Sequence, residues 1–156
     1  MEVTPNTFID PRSRVVTSFR SPSQQPEDWL VVRAARVNRL LRGMPRVNLL
    51  LMGVDSVIQE ALEIGLLDLH EPIATWRPGE PLVLPTVARA GTMILHDVGA
   101  LSIDDQRRLL QWLDWAAGRT QVVSTTPGRL LPRVESGRFL DTLYYRLNTI
   151  CLDVSL

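Results

Sequence analysis

Short apolar segments alternate with amphipathic helical segments along this chain, and this alternation constrains its fold more than any other feature. The apolar segments have the length of buried strands and are bounded by turn residues. They are Val47–Met52, Thr92–Leu95, Gln121–Thr125 and Thr149–Val154. Strands that alternate with helices predict an α/β fold with a three-layer architecture, in which a parallel sheet carries helices on both faces.

Composition divides the chain into an arm and one domain. Residues 1–28 are rich in Pro, Ser and Gln, which predicts an arm that is at most partly ordered, with a short strand over Val15–Phe19. Residues 29–156 are predicted to form the α/β domain. Its predicted helices run over residues 27–43, 56–69, 104–117, 130–135 and 138–147. The proline-rich stretch from Pro72 to Pro85 is predicted to be a loop, with a candidate strand at Leu82–Leu84.

The residue counts exclude several classes of function. The 17 basic residues balance 17 acidic ones, so a strong non-specific grip on nucleic acid is not expected. Every basic residue is arginine, which excludes chemistry that requires a lysine, such as Schiff-base catalysis. Cys151 has no cysteine partner, and with His70 and His96 it cannot build a Cys/His zinc site. We therefore expect no metal or cofactor. The sequence shows no signal peptide or membrane span, which predicts a cytoplasmic protein.

Two motifs in the second half of the chain carry a specific resemblance. Gly91–Leu101 reads G-T-M-I-L-H-D-V-G-A-L, and Gly137–Asn148 reads G-R-F-L-D-T-L-Y-Y-R-L-N. They resemble G-T-L-F-L-D-E-I-G-E-L and G-R-F-R-E-D-L-Y-Y-R-L-N of the sigma-54-dependent transcription activators, which are AAA+ proteins. Weaker similarity extends the match over most of residues 30–154. The resemblance implies a P-loop NTPase or AAA+-like core.

The same resemblance implies a vestigial Walker A loop whose phosphate-binding positions have changed. The family's G-E-S-G-T-G-K-E falls on G-V-D-S-V-I-Q-E. Ser56 and Ile58 replace glycines that let backbone N–H groups approach phosphate, and Gln59 replaces the lysine. Asp55 adds a negative charge where an anion would sit. The vestigial Walker A positions are Gly53, Asp55, Ser56, Ile58, Gln59 and Glu60.

The positions of a vestigial Walker B motif and sensor depart from the family as well. The magnesium-organising aspartate falls on His96, a poor ligand for a hard cation, and the catalytic glutamate falls on the shorter Asp97. The sensor asparagine falls on Pro127, directly after Thr126. The first of two family arginines falls on Leu140. Arg138, Tyr144, Tyr145 and Arg146 remain as a candidate interface.

Two larger family elements are not expected in this chain. The family inserts a long loop with a G-A-F-T-G-A tip between its nucleotide motifs, and the tip grips sigma-54. Residues 60–91 contain no such sequence. The chain stops at Leu156, directly after the last predicted strand, so neither a helical lid nor a DNA-binding helix-turn-helix is expected.

Some residues allow a second interpretation. His96 and Asp97 near Ser124, Thr125 or Thr126 would suit a hydrolase triad, but the chain lacks a Gly-x-Ser-x-Gly elbow, which favours a structural His96. The stripe Arg36, Arg39, Arg42 and Arg46 could hold phosphate, although a neutral chain favours a solvated helix face. Arg138 and Arg146 suit either a subunit contact or local ion pairs, and both interpretations stay open. Of Trp112 and Trp115, one is expected to be exposed and to mark a contact.

The sequence therefore predicts a non-catalytic, AAA+-like protein-interaction or transcription-regulatory module that has lost ATP binding and hydrolysis. The expected partner is a protein, either a second copy of this chain or an intact sigma-54 activator. No membrane or direct nucleic-acid partner is expected. The alternative is a protein that still binds a nucleotide or another small molecule in the vestigial P-loop cleft.

Overall fold

A computed structural model describes residues 6–8, 16–18, 39, 42, 46–63, 67–86 and 91–154. Its strands are β1 (Asn6–Phe8), β2 (Val16–Ser18), β3 (Leu49–Met52), β4 (Ile73–Trp76), β5 (Gly91–Leu95), β6 (Thr120–Thr126) and β7 (Ile150–Asp153). They form one seven-stranded sheet in the order β1-β2-β7-β3-β6-β5-β4. β1 and β2 are antiparallel, and all other neighbouring strands are parallel.

Helices lie on both faces of this sheet. They are α1 (Asp55–Glu63), α2 (Ile103–Ala116), α3 (Leu131–Glu135) and α4 (Asp141–Leu147), and a 3₁₀ turn spans Val98–Ala100. The side chains of β3 alternate between two cores, because successive residues of a strand point to opposite faces. Leu49 and Leu51 pack with Ile58 of α1, whereas Leu50 packs in the core that contains α2 and α4. The predicted three-layer α/β fold is confirmed.

The two cores explain why the central strands are apolar along their whole length. β5 and β6 are buried at every position, as strands covered on both faces must be. Strand β5 begins at a glycine for a steric reason: a Cβ atom on Gly91 would lie 2.2 Å from the carbonyl oxygen of Pro72. That close approach lets the N–H of Thr92 donate to the Pro72 carbonyl at 3.0 Å.

The region between α1 and β5 differs from its prediction. β4 lies inside the stretch predicted to be a loop, and the candidate strand at Leu82–Leu84 does not form. Residues 81–86 are instead held on α2 by side chains. Arg108 donates to the Leu82 carbonyl at 3.2 Å, and Nε1 of Trp112 donates to the Pro85 carbonyl at 2.8 Å. Here side-chain donors replace the strand partner that the pattern implied.

Helix α1 is shorter than its prediction. The helix was expected to continue to Leu69, but residues 67–70 are not helical, and Leu67 instead packs in the core beside α1. The helix predicted over residues 27–43 lies outside the described residues, except for Arg39, which is helical, and Arg42.

Part of the predicted arm joins the sheet of the domain. The strand expected over Val15–Phe19 forms at Val16–Ser18 and pairs with β7; Val15 and Phe19 lie outside the described residues. The division at residue 28 therefore stays a prediction. Within the described ranges, no helix is long and apolar enough to cross a membrane.

Candidate functional site

The carboxyl ends of three neighbouring parallel strands bring the segments that contain the predicted site residues together at one edge of the sheet. β3 leads into Gly53, β5 leads into His96, and β6 ends at Thr126. The N–H of Gly53 donates to the Thr126 carbonyl at 3.0 Å, which ties the first motif to the third. Ligands in open α/β sheets bind at such an edge. We refer to residues 53–60, 96–97 and 126–127 as the sheet-edge site.

The connection between β3 and α1 is short. Only Gly53 and Val54 separate β3 from α1, which already begins at Asp55. The N–H groups of Val57 and Ile58 both donate to the Val54 carbonyl at 3.0 Å, so neither is available to an anion. Ile58 is only 1% exposed because it packs in the core below the helix. The acidic Asp55 occupies the first turn, where its negative charge interacts favourably with the positive end of the helix dipole.

Gln59 and His96 contact each other at this edge. Nε2 of Gln59 lies 3.3 Å from Nδ1 of His96. The backbone N–H of His96 donates to the Trp76 carbonyl at 3.0 Å. Burial lowers the pKa of His96 below its usual value, and the nearby positive charge of Arg77 lowers it further, while Asp55 and Glu80 oppose the shift. The imidazole is therefore neutral at pH 7. With its proton on Nε2, it accepts the Gln59 amide hydrogen at Nδ1.

Asp97 adopts a left-handed backbone conformation with φ of 45°, directly after β5. Asp is among the few residues that tolerate this conformation. Its N–H donates to Oγ1 of Thr125 at 3.0 Å, and its carbonyl accepts from Ala100 at 2.9 Å. Asp97 is half-buried and forms the corner that turns the chain into the 3₁₀ turn.

The sensor position offers little to a ligand. Oγ1 of Thr126 donates to the Gly128 carbonyl at 2.6 Å, so this hydroxyl hydrogen is engaged within its own loop. Pro127 is exposed and has neither a side-chain nor a backbone donor.

The hydrolase triad is not assembled within the described residues. Nδ1 of His96 contacts Gln59, Oγ1 of Thr125 accepts the Asp97 N–H, and the buried hydroxyl of Ser124 has no hydrogen-bond partner. Among the residues that the structure describes, no cluster of His, Cys, Asp and Glu could hold a metal ion.

The candidate interface residues separate into core and surface. Tyr144 is buried, whereas Tyr145 is 51% exposed, and their rings meet edge to face at 5.3 Å. Nη1 of Arg146 donates to Oδ1 of Asp114 on α2 at 2.6 Å, which is the local ion pair that sequence reasoning left open. Arg138 is exposed. Their assignment to an interface stays a prediction.

One residue of the tryptophan pair and the arginine stripe were also predicted to lie at the surface. Trp112 is buried and Trp115 is 73% exposed, so one tryptophan of the pair does face solvent. Of the arginine stripe, Arg39 and Arg42 are exposed, and Arg46 donates to the Arg119 carbonyl. Arg36 lies outside the described residues.

Sequence reasoning missed two features of the sheet-edge region. Arg77 and Glu80 flank His96 from a tight turn in which Gly79 has a φ of 90° and the N–H of Glu80 donates to the Arg77 carbonyl. The Pro78-Gly79 pair is the sequence signal for this turn. The second is Gln106, which is fully buried. Its spacing from the apolar Leu109 and Leu113 puts it on the buried face of α2.

Comparisons with known proteins agree with this fold. The family described as the sigma-54 interaction domain matches residues 69–156. Because this match covers more than half of the sequence, the chain belongs to the sigma-54 interaction domain family. No curated protein matches the sequence.

Solved structures of NtrX from Brucella abortus are similar in fold. The ADP complex is 14% identical, with a TM-score of 0.60 over 87% of this chain and 37% of NtrX. The ATP complex is 15% identical, with a TM-score of 0.61 over 89% of this chain and 39% of NtrX. The chain thus spans less than half the length of NtrX. At these identities the likeness establishes the AAA+-like fold alone.

Proposed function

We propose that this sigma-54-activator-related AAA+ module neither binds nor hydrolyses ATP and acts through protein contacts. The observation that carries the proposal is the start of α1 at Asp55, which leaves a two-residue connection where a phosphate loop would be. A P-loop holds phosphate with inward-facing backbone N–H groups. Here the Val57 and Ile58 N–H groups already bond to Val54.

Charge at the sheet-edge site supports the same proposal. The P-loop lysine and the magnesium-organising aspartate are positions that a triphosphate requires. In this chain Gln59 and His96 stand at the corresponding positions and contact each other. The exposed Asp55 carboxylate would repel phosphate oxygens at the helix start. NtrX has been crystallised with ADP and with ATP, and this chain shares its fold.

An ATPase assay combined with thermal unfolding tests this proposal. We expect no phosphate release above the buffer rate, and no rise in Tm with saturating ATP or ADP in the presence of Mg²⁺. Saturable nucleotide-dependent stabilisation would contradict it, since a ligand that binds only the folded state raises Tm.

The proposed partner is a second copy of this chain or an intact sigma-54 activator in the cytoplasm. Exposed Trp115 and Tyr145 support a contact role, because large exposed aromatic side chains are common at interfaces. Light scattering coupled to size-exclusion chromatography distinguishes self-association from binding to an added activator. A monomer that binds no activator in this experiment would contradict the partner assignment.

The second candidate function is binding of a small molecule at the sheet-edge site. It is favoured by the charged Arg77 and Glu80, which the Arg77–Glu80 turn holds beside His96. A thermal-shift screen of small polar ligands would separate it from the first: stabilisation abolished by Arg77→Ala would support this alternative.

A further inference from the structure

A buried glutamine connects the sheet-edge site to the segment that contains Arg138. Gln106 lies in α2 and is fully buried. Its Nε2 donates to the Leu101 carbonyl and to the Arg138 carbonyl, both at 3.0 Å. Its Oε1 accepts the N–H of Leu140 at 2.8 Å. The amide donors and the acceptor of this side chain are all engaged with backbone of two other segments.

A second contact joins the 3₁₀ turn to α3, the helix that precedes the Arg138–Leu140 segment. Nη1 of Arg133, on α3, donates to the Gly99 carbonyl at 2.7 Å. Gly99 is packed closely there, since a Cβ atom would lie 3.1 Å from Cδ2 of Leu130. We call Gly99, Leu101, Gln106, Arg133 and Leu140 the Gln106 junction. The 3₁₀ turn is thereby held from two sides.

The turn also reaches the sheet edge through Asp97. The Asp97 N–H donates to Oγ1 of Thr125. The turn ends at Leu101, whose carbonyl accepts from Nε2 of Gln106. A contiguous set of hydrogen bonds thus runs from Thr125 to Arg138. Breaking one bond in a buried network leaves a polar group unpaired, which costs free energy. A movement that keeps the bonds therefore costs less than one that separates the bonded segments.

We propose that Gln106 makes the Asp97–Leu101 turn and the Arg138–Leu140 segment one conformational unit, which transmits a displacement of Asp97 to the exposed surface around Arg138. Gln106 acts as a positioning residue, because it contacts backbone and not a ligand. The coupling requires no nucleotide: any ligand or protein contact that shifts Asp97 would reach Arg138 by this route.

Amide hydrogen exchange on the full chain tests the coupling. Thr125→Val removes the acceptor for the Asp97 N–H at the far end of the route. The readouts are the N–H groups of Arg138 and Phe139, which bond to the Arg133 carbonyl at 2.8 Å and 3.1 Å and do not contact Thr125. We expect their exchange to accelerate roughly fivefold, the effect of losing one hydrogen bond's net contribution to local stability.

Thr126→Val is the matched control, because the hydroxyl of Thr126 bonds to Gly128 in its own loop and not to the turn. It should leave the Arg138 and Phe139 amides unchanged. Equal acceleration by both threonine variants, or none by Thr125→Val, would overturn the proposal. This comparison needs no substitution of Gln106.

A double-mutant cycle assigns the route to the glutamine. In a Gln106→Met background, Thr125→Val should change exchange at Phe139 less than it does in the wild type, because only the Arg133–Gly99 contact still joins the turn to this region. It should still affect Ala100 and Leu101 in the turn. An undiminished Thr125→Val effect at Phe139 in that background would show that Gln106 does not carry the coupling. A merely structural Gln106 would predict simple additivity of the two substitutions.

Discussion

Nε2 of Gln59 lies 3.3 Å from Nδ1 of His96, so these two side chains of the sheet-edge site bond to each other. The pair joins α1 to the end of β5 through a neutral imidazole, because burial and then Arg77 lower the pKa of His96. A lysine and an aspartate at these positions would both be charged and would bind phosphate and magnesium. We propose that an internal contact stands here in place of the ligand-binding pair that the family resemblance implies.

The lowered pKa of His96 makes folding stability depend on pH. Below about pH 6.5 the unfolded chain protonates this histidine while the folded chain resists protonation, so the free energy of unfolding falls as the pH drops. We expect urea unfolding to show this loss as the pH falls from neutral through about 6.5, the usual pKa of a histidine in an unfolded chain. His96→Gln should flatten this part of the profile. A His96→Gln profile as steep as that of the wild type would contradict this account.

Two tryptophans on one helix offer a matched test of the contact that holds residues 81–86. Trp112→Phe removes the Nε1 donor to the Pro85 carbonyl and should cost about 1–3 kcal/mol, because that carbonyl loses its partner in a partly buried site. Trp115→Phe, at a side chain that is 73% exposed, should change stability by less than about 0.5 kcal/mol. Chemical denaturation measures both. Equal losses would contradict the assigned contact.

Two serines distinguish a satisfied hydroxyl from an unsatisfied one. Oγ of Ser102 caps α2 by accepting the Asp105 N–H at 3.1 Å, and Ser102→Ala should cost about 1 kcal/mol. Oγ of Ser124 is buried without a partner, so Ser124→Ala should be neutral or stabilising. Thermal unfolding should therefore show a lower Tm for Ser102→Ala than for Ser124→Ala. Burial alone would predict the reverse, since Ser124 is the buried serine of the two. A larger loss at Ser124 would contradict this account.

The Arg146–Asp114 pair should matter little to folding. Its side chains are 36% and 63% exposed, and ion pairs in contact with solvent contribute about 0–1 kcal/mol. Arg146→Ala should lower the free energy of unfolding by no more than Asp114→Ala does, and the loss should shrink at high salt. If Arg146 also serves a subunit contact, Arg146→Ala will reduce the mass measured by light scattering while Asp114→Ala will not.

The sheet was predictable where apolar runs are buried on both faces. β3 and β5 followed from continuous apolar segments, because helices cover both sides of them. β4 was missed because it is an edge strand: Ile73 and Thr75 are exposed, and prolines lie close on both sides. Its pairing with β5 favours the strand, and pairing between distant segments is not visible in a local pattern.

The sheet-edge site was only partly predictable. Apolar residues at helical spacing, among them Val57 and Ala61, indicated a helix from about residue 56, and the helix begins at Asp55. The Gln59–His96 contact joins different elements and depends on how α1 packs, which neither motif specifies alone. Gln106 was not predicted to have a role, because a buried polar residue on an amphipathic helix shows its role once its backbone partners are placed.

We propose above all that the sheet-edge site does not bind a nucleoside triphosphate. Isothermal titration calorimetry of ATP with Mg²⁺ into the full chain tests it most directly. We predict no saturable heat with ATP concentrations into the millimolar range. A saturable isotherm with a micromolar Kd, weakened by Gln59→Ala, would place a nucleotide at this site and contradict the account.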